Sequence, residues 1–127
     1  MASSELNLPR IPMLGEEEAR VIGKEVGVPS TMSGLNVFRI MSRHPTLAGV
    51  VAKQLAMLLY RGNLLDDRLR ELIIMRIGWR TGAMYEWTQH WPVALRVGLT
   101  EDETLAVRDP DKATCLGAAE RAVITAT

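Results

Sequence analysis

Three observations predict an all-α fold for this chain. Apolar residues return at steps of three and four, no stretch alternates with period two for long enough to build a sheet, and Pro and Gly interrupt the pattern at helix-like intervals. The expected architecture is a compact helical domain of about six helices. At 127 residues and 47% hydrophobic content, the chain fits one domain spanning 1–127 and has no room for a second. Pro9 and Pro12 give residues 1–14 the character of an extended arm, a kind of segment that often packs on neighbouring subunits.

Glu16, Glu17 and Glu18 open a first helix, EEEARVIGKEV, which Gly27 and Pro29 end. Leu35 to Met41 forms a short second helix. Pro45 begins a longer one, with His44 as its start residue, and Leu47, Val50, Val51, Leu55, Leu58 and Leu59 build one apolar stripe along it. Asp66 caps the next helix, which runs to about Arg80 and has almost no polar face, so it is expected to be central. Gly82 and Gly98 bracket a helix from about Ala83 to Val97, and Thr100 with Glu103 makes a capping box for a short one beyond it. A last helix is expected from about Ala113.

Fifteen Lys plus Arg balance fifteen Asp plus Glu, and neither sign forms a run, so neither nucleic acid nor an anionic membrane is an expected partner. The N-terminal residues lack the pattern of a secretory signal, and no apolar run approaches the roughly 18 residues that span a bilayer. A cytoplasmic location is expected. Cys115 is the one cysteine and has no Cys or His at metal-ligand spacing; it reads as a small buried hydrophobe.

At 100° per residue, Ala83, Glu86, Trp87, His90, Ala94 and Val97 lie along one helix face. Most of them are apolar, so the face is expected to turn inward, with Glu86 and His90 four residues apart and close enough to exchange a proton. The same spacing also describes an ordinary solvated Glu–His pair. Glu71 is a third polar group of interest, set among Ile74, Met75 and Gly78, with a salt bridge to Arg68 as its plain structural role. Trp79, Tyr85 and Trp87, with Trp91, are candidate walls of an apolar cleft. Pro92 removes the backbone bond to Thr88 and is expected to kink the helix beside the pair.

The stretch NLLDDRLRELIIMRIGWRTGAMYEWTQHWPVALRVGLTED, residues 63–102, resembles the signature region of the carboxymuconolactone decarboxylase superfamily, which includes alkyl hydroperoxidase D. The HPTLAG and LLYRG segments before it carry the likeness further. In the peroxidase branch, a relay Glu precedes a first Cys by twelve residues, a second Cys follows by three, and a His by four more. That pattern falls here on Glu71, Ala83, Glu86 and His90. Both cysteines are absent, which removes the thiolate that peroxidase or disulfide-reductase chemistry needs. The decarboxylase branch carries Glu-x-x-x-His on this helix, and Glu86 with His90 matches it.

The resemblance implies a cofactor-independent acid/base enzyme with Glu86, His90 and Glu71 as its catalytic residues and Trp79, Tyr85 and Trp87 against the substrate. It would decarboxylate, isomerise, dehydrate or hydrolyse a small lactone or β-keto carboxylate, with no metal or organic cofactor. It implies a homo-oligomer, trimer or hexamer. The chain is C-terminally short relative to the family, whose last helices are expected to be missing after Thr127, and a second chain is one way to supply them. The alternative is a non-catalytic oligomeric assembly or binding module.

Overall fold

The computed structural model describes residues 10–60, 62 and 64–127. The described residues are all-helical and fall into two compact units, one up to Asn63 and one from Leu64. Eight helices are present among them rather than about six: α1 (Glu16–Val26), α2 (Ser30–Ser33), α3 (Asn36–Met41), α4 (Pro45–Leu59), α5 (Asp67–Thr81), α6 (Met84–Arg96), α7 (Glu101–Ala106) and α8 (Ala118–Ala126). The single turn of α2, just after Pro29, is the element without a sequence expectation.

In the first unit, α1 and α3 pack on α4 around Val28, Met32, Phe38, Ala48 and Ala52. Of the expected apolar stripe of α4, Leu55 packs against this core, but the fully buried face is a different one. Ala48, Gly49 and Ala52 point inward, whereas Leu47, Val50 and Leu58 are exposed. The reason is steric: a Cβ at Gly49 would lie 2.6 Å from the carbonyl oxygen of Val26, so the end of α1 approaches more closely than any larger side chain permits. His44 starts α4 as expected, its Nδ1 accepting from the Leu47 N–H at 3.2 Å. The first nine residues of the expected arm lie outside the described residues. The following part is tied to its own unit, because the Arg39 Nε donates to the Leu14 carbonyl at 2.8 Å and the Arg43 Nε to that of Pro12 at 2.9 Å.

In the second unit, α5 packs against both α6 and α8 over Leu72, Met75, Ala94, Leu99, Val107, Leu116 and Ile124. Asp66 caps α5, accepting from the N–H groups of Arg68 and Leu69. Gly82, in the left-handed region at φ 67°, closes α5 and turns the chain into α6 within two residues. The α6 helix runs unbroken from Met84 to Arg96 through Pro92. Thr100 and Glu103 form the expected capping box of α7. Arg68 gathers these pieces from the start of α5, donating to the Gly98 carbonyl and to Glu103 Oε1 at 2.8 Å.

The last helix starts at Ala118, not near Ala113. Residues 110–117 instead form an irregular loop wrapped on Arg121, whose guanidinium donates to the carbonyls of Pro110, Ala113 and Leu116. One cation thereby satisfies the loop carbonyls that helical hydrogen bonds would otherwise serve. Cys115 lies in this loop and is exposed, contrary to its expected burial; its neighbour Leu116 takes the place in the core. No helix among the described residues is long and apolar enough to cross a membrane.

Candidate active site on α5 and α6

Glu71 is the most deeply buried carboxylate of the second unit, with its side chain 1% exposed. It sits on α5, which packs against α6, and its contact with His90 crosses between the two helices. A carboxylate in such a place requires hydrogen-bond partners, since an unpaired buried charge is costly. It has two. The Arg70 Nε donates to Glu71 Oε1 at 3.3 Å, and His90 Nδ1 lies 2.7 Å from Glu71 Oε2. The expected salt bridge between Glu71 and Arg68 is not formed, because Arg68 turns to Gly98 and Glu103 instead.

His90 therefore has one nitrogen committed. An ionised carboxylate can only accept, so with Glu71 in that form the proton of this contact sits on Nδ1 of the imidazole and Nε2 is the free nitrogen. That nitrogen faces Glu86 Oε2 at 3.7 Å, too far for a direct hydrogen bond. The His90 side chain is 19% exposed and that of Glu86 50% exposed. The two expected partners of the site thus differ: Glu86 stands at the solvent edge of the inward stripe rather than within it, and Glu71 makes the short contact. In chemical terms, the row runs from a buried carboxylate through an imidazole to a carboxylate open to water.

The tryptophans stand on the neighbouring face. Trp79 of α5 and Trp87 of α6 have ring centroids 5.8 Å apart, and Trp87 and Trp91 are 5.9 Å apart. Together with Met84 and Leu105 they line a cavity of about 560 Å³. Tyr85 is not part of this lining, since two residues along a helix carry it about 200° round from Trp87. Glu71, Glu86 and His90 are not part of it either, and consecutive residues His90 and Trp91 diverge by about 100°. Sequence reasoning did not single out Arg108, which also lines the cavity, its guanidinium carbon 5.6 Å from the ring centroid of Trp79. Its distance in sequence from the tryptophans left no signal to connect them.

Ala83, where the resemblance places the first cysteine of the peroxidase pattern, is the residue that begins α6. A thiol there would sit at a helix N-terminus, the kind of place that favours a thiolate, and a methyl group stands in its stead. Among the described residues, no group of three or more His, Cys, Asp or Glu side chains is arranged to hold a metal ion.

A helical pair joined by a tight glycine turn carries a buried Glu, a His and a half-exposed Glu in a row in an all-α protein. The chain belongs to the carboxymuconolactone decarboxylase family: the family model matches residues 48–127, which take in α4 from Ala48 and all of α5 to α8. No match was found among curated proteins or solved structures.

Proposed function

We propose that this protein is a cofactor-independent acid/base enzyme that removes CO2 from a small β-keto or lactone carboxylate in the cytoplasm, with His90 as the proton donor and acceptor. The observation that carries this reading is the 2.7 Å contact between buried Glu71 and His90 Nδ1, which directs Nε2 away from the core toward the half-exposed Glu86. Decarboxylation breaks the bond between the α-carbon and the carboxylate, and the electron pair moves onto the β-carbonyl oxygen as an enolate. Protonated Nε2 donates a hydrogen bond to that oxygen and then delivers its proton to the α-carbon. Glu86, open to water, returns a proton from solvent to Nε2. Glu71 stays in place throughout, holding the ring in one tautomer and orientation. Of the expected walls, Trp87, one turn before His90 on α6, is the one proposed to lie against the substrate; Trp79 and Tyr85 face elsewhere.

The same proton transfers serve isomerisation, dehydration or lactone hydrolysis, so the test measures CO2 release across a panel of β-keto and lactone carboxylates. His90→Ala is expected to lower turnover by about 10²–10⁴-fold, the ordinary worth of a positioned acid/base group. Unchanged turnover in His90→Ala on a substrate the wild type accepts would end the reading. A second reading, a non-catalytic homo-oligomeric module, draws on the exposed side chains of Leu47, Val50 and Met57, which recur along one edge of α4 at steps of three and seven. Light scattering decides whether copies of the chain associate. Association with no turnover on any member of the panel would favour that second reading, and the proposed trimer or hexamer is contradicted by a monomer.

A further inference from the structure

The tryptophan cavity offers more donors than the chain itself uses. Its lining carries a single charged side chain, Arg108, and no carboxylate. The Arg108 Nε donates to the carbonyl of Leu105 at 3.2 Å, and among the described residues no carboxylate forms an ion pair with this guanidinium. None of the three indole N–H groups donates a hydrogen bond to a described residue. Trp79 and Met84, both of which line the cavity, are exposed at 48% and 69%. The cavity, at about 560 Å³, falls in the range that encloses small ligands. The indoles, tilted against one another by 56° and 40°, offer apolar ring faces, and the cation held over Trp79 offers a fork of N–H donors.

From this combination we infer that the cavity binds a planar aromatic monocarboxylate, its ring among Trp79, Trp87 and Trp91 and its carboxylate on Arg108. A neutral arene would leave the guanidinium unanswered, and a non-planar anion would waste the indole faces. A cationic ligand is opposed by Arg108 itself. The inference stands apart from the reading above, since the cavity does not take in Glu71, Glu86 or His90, and binding there needs no catalysis.

The three tryptophans of the cavity are all the tryptophans the chain has, so indole fluorescence, excited beyond the absorption of Tyr60 and Tyr85, reports on this site. The test titrates the full chain with 4-nitrobenzoate and, separately, with neutral 4-nitrobenzyl alcohol, both contact quenchers of indole. Saturable quenching by the carboxylate is expected, with the alcohol at least about tenfold weaker, as a lost charge-assisted pair implies. Arg108→Ala should bring the carboxylate down to the alcohol, and Arg108→Lys should recover part of the difference because the charge returns without the fork. Arg108 is exposed, so its removal leaves the core intact. Glu71→Gln is expected to keep the quench while losing turnover. Equal affinity for acid and alcohol, non-saturable quenching, or an unchanged Arg108→Ala titration would overturn the inference. Intact binding in a wild type that turns over no member of the β-keto and lactone carboxylate panel would sink the enzymatic reading alone.

Discussion

The two units bury different kinds of surface. In the first, the buried polar side chains are Ser33 and Ser42, and the core is closed by small residues, with Gly49 of α4 seated against the backbone of α1. In the second, Arg70 and Glu71 are buried together within the helix that also supplies Leu72 and Met75 to the core. Apolar packing stabilises at little risk, whereas buried charges contribute to stability only when every partner is present. The family match covers the whole of that second unit and the larger part of α4.

The sharpest way to break this contrast is to remove one member of the buried group. Glu71→Ala leaves Arg70 and His90 without their shared acceptor and is expected to destabilise the fold by about 3 kcal/mol in urea denaturation. A loss below about 1 kcal/mol would mean that water already satisfies the site. On the first unit the corresponding probe is steric. Gly49→Ala forces a methyl group against the Val26 carbonyl and should cost about 2 kcal/mol, with no effect on the environment of His90.

A smaller effect is expected at the capping box. The Glu103 carboxyl is held below the usual carboxylate range, first by the Thr100 backbone N–H and then, against the opposing effect of burial, by Arg68. Because the folded state depresses this group, its contribution is present above the unfolded value of about 4.3 and is lost as pH falls through the folded one. Glu103→Gln should therefore cost about 1 kcal/mol at neutral pH, and the gap to wild type should close on acidification below pH ~4. A gap that persists or widens in acid would contradict the assignment. The smallest effect belongs to Glu86→Gln, expected within about 0.5 kcal/mol of wild type in stability because the side chain is half exposed and its 3.7 Å contact is long.

Much of the second unit was legible from local chemistry. Asp66, Gly82 and the Thr100–Glu103 box act within a few residues of themselves, so their signals survive without tertiary information. The site was half legible. His90 and Glu86 share a helix and could be paired by spacing, but the shorter partner, Glu71, reaches His90 from another helix, and only the superfamily pattern linked the two before the fold did. Polar contacts outside regular helix spacing were invisible for the same reason: Arg121 delays the start of the expected last helix by gathering carbonyls of the preceding loop, and Arg68 bypasses Glu71 for Gly98 and Glu103. On α4 the hydrophobic pattern itself misled. Larger apolar residues suggest the buried face, but the close approach of α1 selects Ala48, Gly49 and Ala52.

The central claim is that Glu71 fixes His90 so that Nε2 is the atom that handles protons. Long-range ¹⁵N–¹H correlation spectra of the imidazole rings test it most directly, since the chain has only two histidines to assign. The neutral form of His90 is expected to carry its proton on Nδ1, with a bare Nε2, and Glu71→Gln should abolish that preference while leaving His44 unchanged. A neutral His90 protonated on Nε2 in the wild type would contradict the account.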